Sequence, residues 1–433
     1  MIKKWIALFT AAAMLVSMTG CAKQTAAGTT PTDAAATEPI KLKIYVDYAD
    51  DDTKIPYDYA VAALKKEMPN VQLELEPMAR DDGQKLKTYA QTGNLPDIFQ
   101  IGVDTMNIFR KSNNILQLDE YAADFKSKLQ PGSENLLYHP EDNHIYSFPF
   151  AGKEYVVLYY NKEIFAKYNL QVPTTFEELK AVSKTLNENN VIPMSIFAKE
   201  KWPCVSLFDV FATRLEPQGI MKLDQLKGKA SEEAYKKAAG QIVDLVNSGL
   251  FPKGATNLNY DQAAALFYEG KAAMFLNGQW EIQGSTEKLG DKVDWMYYPS
   301  YDAAGYEAAK GNWSGGGSLG GLGVSPNTAN KEVAAKVASF MAIKYAEAKY
   351  TMRANPFVAT VVDKQPEVAF PAMMDRLAKD IPNIKSTTGF AWHMTNPKIK
   401  AALEDNTQRL LTGTYTADEF VADMDKVIEE SSK

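Results

Sequence analysis

Between residues 41 and 78 the chain reads strand, helix, strand, and that order constrains the fold more than any other feature. In "KLKIYVDY" Leu42, Ile44 and Val46 share one face, and in "VQLELEPM" Val71, Leu73 and Leu75 do the same, which is the two-residue period of a strand. Between them "YDYAVAALKKEMPN" carries Tyr57, Val61, Leu64 and Met68 near helical spacing and stops at Pro69. A βαβ unit implies parallel strands with a right-handed crossover. A second helix in "QKLKTYAQTGN" leads into a short strand in "DIFQIG". This half of the chain predicts an α/β fold.

Later segments keep the alternation. "PTTFEELKAVSKTLNENNVIP" begins with Thr175 and Glu178 as a capping box, followed by Phe176, Leu179, Val182 and Leu186 as a buried stripe. Another helix is expected in "SEEAYKKAAGQIVDLVNSGLF", ending at Gly249, and Thr416 and Glu419 repeat the capping box before Phe420, Met424 and Val427. Beyond the N-terminal region, roughly 390 residues remain to fold, more than one usual core holds, so two lobes are expected.

The N-terminal region reads as a processing segment. Lys3 and Lys4 precede an apolar run from Trp5 to Val16, and small residues close it, the pattern of an export signal over residues 1–20. The run is shorter than the about 20 residues a membrane span needs. Cys21, in "MTGC", resembles the lipid-accepting cysteine of a bacterial lipobox, with Met18 where leucine is more usual. Two or more acyl chains there would give stable anchoring. The alternative is an ordinary secretory signal cut near Gly20. Residues 21–40, small and polar, read as a flexible tether.

Composition narrows the function classes. The formal charge is −7, and acid is spread along the chain, so no basic patch argues for nucleic acid. With Cys21 lipidated, Cys204 has no partner and is expected as a buried small hydrophobe. His393 lies far in sequence from His139 and His144, so neither a zinc site nor another metal site is expected. "DYADDDT" lacks the spaced Gly and distal Glu of a calcium loop and reads as a solvated acidic loop.

Several phrases, taken in order, resemble family 1 extracellular solute-binding proteins, the maltose-binding-like components of bacterial ABC importers. They are "YAQTGNLPDIFQIGVD", "IYSFPFAGKEYVVLYYNKEIFAKYNLQVPTTFEELKAVSKTL", "FYEGKAAMFLNGQWEI" and "GGGSLGGLGVSPNTANKEVAAKVASFM", spanning roughly residues 40 to 345. The resemblance implies a two-lobed periplasmic-binding-protein fold with hinge crossovers and an inter-lobe ligand cleft. It places crossovers near 149–155, near 297–302 and near Arg353. Lobe 1 is then 41–150 plus 300–353, and lobe 2 is 151–299 plus 354–433. Clefts between domains are favoured ligand sites.

The implied ligand is a carbohydrate, an oligosaccharide in particular. A sugar site needs flat aromatics against C–H faces and polar groups along hydroxyl edges. By the resemblance, Trp280 and Trp392 are stacking candidates and Asp104 is an acid facing the ligand. Loop context adds Trp313 and Trp202. Asp47 and Tyr48 end the first strand, where α/β folds gather ligands; Arg80 follows the second, and Glu154 and Tyr155 sit at the first crossover.

Gly315, Gly317 and Gly320 fit the dinucleotide spacing G-x-G-x-x-G, but no strand precedes them and an extended segment follows before a helix at about Asn330. Gly315 and Gly316 are instead expected to admit backbone close to a ligand or a neighbouring strand, with Trp313 beside them. No G-x-S-x-G, H-E-x-x-H or Walker A phrase occurs. The reading is a monomeric, cofactor-free binding protein, not an enzyme. It would be lipid-anchored on the extracellular face of the membrane and feed the transmembrane subunits of an ABC permease. The alternatives are a lipid-anchored glycan sensor or adhesion module, which shares the cleft, and a glycan-active enzyme, whose carboxylate pair cannot be singled out among 54 acids.

Overall fold

A computed structural model describes residues 39–433 apart from Arg80, Asp82, Gly132 and Ser318. The export signal, Cys21 and most of the tether lie outside these residues. The βαβ unit forms as its periodicity requires: β1 (Ile40–Val46) and β2 (Val71–Pro77) are parallel, with Leu42 opposite Leu73 and Ile44 opposite Leu75. Ile40 already belongs to the strand. β2 is the sheet edge, which leaves Leu73 and Leu75 only half-buried.

The connecting helix, Asp51–Glu67, begins earlier than its apolar spacing suggests. Asp50 accepts the backbone N–H of Thr53 at 3.1 Å, and Thr53 Oγ1 accepts the N–H of Asp50 at 3.2 Å. Asp51 and Asp52 fill the first turn, where carboxylates favour the positive end of the helix. The end of the expected acidic loop is therefore helical. Pro56 lies inside the helix and masks its start, since proline normally interrupts the backbone ladder.

β3 (Ile98–Gly102) joins β1 in parallel on its other side. One face of this sheet meets Asp51–Glu67 and the helix Lys331–Met352, where Tyr57, Ala60 and Leu64 pack with Ala334, Ala338, Met341 and Ala342. The opposite face buries Tyr45, Phe99 and Ile101 under Met106 and Phe109. Alternation along β1 thus sends Ile44 to one core and Tyr45 to the other.

A second sheet is built from β4 (Glu154–Asn161), β5 (Ile192–Ser195), β6 (Ala272–Gly278) and β7 (Val293–Met296), in the order β5-β6-β4-β7. Its core takes in the helix Trp202–Ala212, buried on almost every side, and Cys204 with it. Both capping boxes form, Thr175 with Glu178 and Thr416 with Glu419. Helix Glu233–Asn247 ends just before Gly249. In the last helix Ile428, not Val427, takes the buried place beside Phe420 and Met424.

Among the described residues, three connections join the cores. The chain leaves the first core at Phe148 and enters the second at Tyr155. It returns through the glycines: β8 (Asn312–Trp313) and β9 (Gly315–Gly316) lie with the second core, and β10 (Gly320–Val324) pairs antiparallel with β3 in the first sheet. The two passages run antiparallel, with Phe148 bonded to Leu322 on one side and Glu154 paired with Gly316 on the other. The third passage follows Met352, where Gly152 donates to the carbonyl of Phe357 at 3.1 Å.

The expected crossover at 297–302 lies elsewhere. Ser300 is bound into the second core through Thr174 and Phe176, and Tyr298 is buried there. The segment β11 (Ser386–Thr387) pairs with β8 and holds residues 312–313 on the same side. The segment 300–316, expected with the first lobe, therefore packs with the second sheet, and the crossing falls between Gly316, paired with β4, and Gly320, paired with β3.

Candidate functional site

A cavity of about 1120 Å³ opens between the two cores. Its floor is the crossing segments, Pro149–Gly152, Leu319–Gly321 and Arg353. One wall is formed at the carboxyl ends of β1 and β3, by Asp47, Gln100, Gly102 and Asp104, and by the start of the Asp51–Glu67 helix. Side chains of the second core make the opposite wall. Ligands gather at this end of parallel strands because the diverging loops leave a crevice there.

The second wall is aromatic. Trp202 opens its helix, Trp280 caps the helix Glu281–Leu289, and Trp392 sits in the single turn Ala391–His393. Their ring centroids lie 5.1 Å (Trp202–Trp392), 5.9 Å (Trp202–Trp280) and 6.2 Å (Trp280–Trp392) apart. All three indoles are half-buried and line the cavity. Gly278 makes room for one of them, since a Cβ there would meet the Trp280 ring at 2.3 Å. The glycine of "NGQW" thus lets the indole fold back over the end of β6.

Polar groups are held by internal partners. Glu281, 4% exposed, accepts from the hydroxyls of Tyr260 and Tyr268 and from Asn277 Nδ2 at 3.1 Å. Burial pushes its carboxyl up to about 7 against the pull of those tyrosine hydrogen bonds. Lys349 pairs with Asp52, and Arg353 Nε lies 3.6 Å from the same carboxylate. Lys400 Nζ is 3.7 Å from Asp104. Buried His393 is held neutral, its pKa lowered to about 3 by desolvation; its Nδ1 accepts from the Phe390 N–H at 3.3 Å, so the ring proton is assigned to Nε2. Among the described residues no group of His, Cys, Asp or Glu is arranged to hold a metal ion.

The cavity brings together Trp202, Trp280, Trp392, Asp47, Asp104 and Glu154 of the residues expected at the site. It does not include the others. Trp313 is a correction: it is 2% exposed, packed among Tyr155, Trp295, Tyr297 and Tyr298, and offers no face to a ligand. Tyr155, also 2% exposed, belongs to the same cluster. Gly315 and Gly316 approach a neighbouring strand, not the cavity: φ at Gly315 is +101°, and a Cβ there would stand 2.4 Å from the Glu154 carbonyl. Tyr48 turns its hydroxyl to Asp58 at 3.2 Å, outside the cavity. Arg80 lies outside the described residues.

Sequence reasoning missed Asp52, Tyr260, Tyr268, Glu281, Lys349, Arg353, His393 and Lys400 at the cavity. Two signals were available. Glu281 directly follows Trp280, and Asp52 sits in the acidic run set aside as solvated.

Two α/β cores, joined by three adjacent connections around a deep cleft, define a ligand-binding protein of the two-lobed solute-binding class. The chain belongs to the bacterial extracellular solute-binding protein family, whose profile matches residues 50–343. These are binding proteins, not enzymes. An ABC transporter extracellular-binding protein of Pyrococcus horikoshii is 28% identical over 251 residues, 55% of this chain and 56% of that one. The maltotriose-binding protein of Pyrococcus abyssi is 26% identical over 233 residues, 51% of this chain and 46% of that one. The chain thus spans about half the length of these relatives. Among solved structures, one from work on xylan utilization by the thermophilic bacterium Caldanaerobius polysaccharolyticus superposes with a TM-score of 0.79 at 26% identity, covering 89% of this chain and 99% of that one. A chitin oligosaccharide binding protein shares the fold with a TM-score of 0.77 at 23% identity, covering 91% and 99%.

Proposed function

We propose that this protein captures a carbohydrate, an oligosaccharide in particular, and delivers it to the transmembrane subunits of an ABC import permease. The observation that carries the reading is the pairing of three half-exposed indoles on one wall with carboxylates, lysine and arginine on the facing wall and floor. Aromatic faces suit sugar C–H surfaces, and charged edges suit hydroxyls. Relatives named for maltotriose and for multiple sugars point the same way.

The two lobes are assigned here as 41–150 with 319–353, and 151–316 with 354–433. Ligand touching both walls shifts the population toward a closed form, because only there are all its contacts made. The permease would read the closed pair. Export through residues 1–20, lipid on Cys21 and a monomer tethered at the extracellular face complete the proposal; no described helix is long and apolar enough to cross a membrane.

A thermal-shift screen over mono- and oligosaccharides tests the ligand class. A sugar at 100 times its dissociation constant stabilises by about 2.7 kcal/mol. Silence from all sugars, with a shift for a peptide or polyamine, overturns the reading. Stimulated ATP hydrolysis by a permease complex separates delivery from a sensor or adhesion role.

A further inference from the structure

Trp202, one of the three cleft indoles, follows a residue in a costly backbone conformation. Lys201 has φ +59° and ψ −46°. The left-handed helical region needs positive ψ, so this combination is crowded for any residue with a Cβ. Lys201 is also the joint at which the helix Trp202–Ala212 starts, its carbonyl accepting the N–H of Cys204 at 2.8 Å. Pro203 fixes the backbone two residues further on, so the change of direction falls on Lys201. Turning this joint carries the Trp202 indole with it.

A conformation of this kind persists only where its surroundings over-determine it. The turn Ala198–Glu200, which delivers the chain to Lys201, is held by elements beyond it. Gln408 Nε2, on the helix Pro397–Leu410, donates to the Ala198 carbonyl at 2.7 Å. The N–H of Tyr260 donates to Glu200 Oε1 at 3.1 Å, and the N–H of Lys199 donates to the Leu258 carbonyl at 3.1 Å. Lys201 Nζ meets Asp405 at 2.6 Å, but these side chains are 40% and 60% exposed, and a pair so wetted contributes little. The Gln408 bond is the shortest of the three uncharged or backbone ties, and Gln408 does not line the cavity.

We propose that Gln408 is a positioning residue for ligand binding: its amide holds the strained turn at Lys201 and thereby fixes the Trp202 indole in the cleft, with no contact to the ligand. This rests on the carbohydrate reading above. Released from Gln408, Lys201 relaxes toward an ordinary backbone conformation. The indole then leaves its place 5.1 Å from Trp392 and 5.9 Å from Trp280, and restoring it on binding costs affinity. Strain at Lys201 is the driving force, so glycine there, which adopts positive φ freely, removes it. Lys201→Gly should therefore rescue Gln408→Ala.

Near-ultraviolet circular dichroism of the full chain without ligand reads the indole cluster, because that signal comes from fixed aromatic packing. Gln408→Ala should reduce it while the far-ultraviolet spectrum stays, and the double variant with Lys201→Gly should restore it. Titration calorimetry with maltotriose, raffinose and xylotetraose then reads function. For the sugar that binds best, Gln408→Ala should weaken affinity about fivefold or more, and the double variant should regain most of the loss. An unchanged near-ultraviolet spectrum or affinity in Gln408→Ala, or a loss that Lys201→Gly does not reverse, overturns the proposal. Lys201→Gly alone should raise the urea midpoint; a midpoint that does not rise overturns it even where Gln408→Ala fails to fold. Silence from every sugar, with the spectrum lost and restored as expected, overturns the carbohydrate reading and leaves the positioning of Trp202 standing.

Discussion

Trp392 lies flat on Phe390, ring centroids 4.4 Å apart and planes 4° from parallel. Phe390 is fully buried, whereas Trp392 is half-exposed at the cleft. The hidden ring fixes the plane of the exposed one, so the indole is pre-set before any ligand arrives. Pre-ordering of this kind lowers the cost of binding.

That arrangement separates contact from core. Trp280→Ala and Trp392→Ala are each expected to weaken the bound sugar tenfold or more, about 1.4 kcal/mol at least. Trp313→Phe should leave affinity nearly unchanged, because its ring is buried away from the cavity. Titration calorimetry on the three variants decides; equal losses at all three positions would remove the distinction.

Gly315→Ala tests the close approach of β9 to β4. At φ +101° with the Glu154 carbonyl 2.4 Å from a Cβ, both the conformation and the space oppose a side chain. Backbone strain alone is worth about 1–3 kcal/mol. A lowered denaturation midpoint is expected; an unchanged one would show that the strands separate freely.

Glu281 supplies a pH test of stability. Its folded pKa, raised by burial to about 7, exceeds the ordinary 4.5, so the folded state holds a proton that the unfolded state has released between those values. Its contribution is fully present below about pH 4.5 and fades as pH rises through 7. The full shift corresponds to about 3 kcal/mol. Glu281→Gln should remove that part of the stability loss between pH 5 and 8, measured by urea denaturation at each pH. Parallel wild-type and variant profiles would contradict it.

Asp209, wholly buried, accepts from the Ile220 N–H at 2.8 Å and from the Thr388 hydroxyl, while Thr388 Oγ1 accepts from the Gly315 N–H at 3.2 Å. The node ties helix Trp202–Ala212 to β9 and to the turn that carries Trp392. Thr388→Val should destabilise by about 1–3 kcal/mol, since it leaves buried partners unmatched. Equilibrium denaturation measures this, and a neutral result would mean the node contributes nothing net.

Local features were legible in the residues themselves. The βαβ unit, both capping boxes, buried Cys204 and the helix after Asn330 follow from spacing and backbone chemistry that act within a few residues. The placement of Trp280 at the cleft was legible through its phrase. Trp313 was not: its burial depends on Tyr155 and Trp295, brought to it by pairing of chain segments far apart in sequence. The glycines beside it carried a real signal, close approach, but which backbone they approach is settled only when β9 meets β4. The same holds for the crossover, which follows Gly316 and not 297–302, and for Glu281, whose tyrosine partners come from another helix. Sequence by itself determined the elements and the faces they bury. Only the tertiary structure decided which aromatic is core and which is wall, because burial depends on neighbours that distant segments supply.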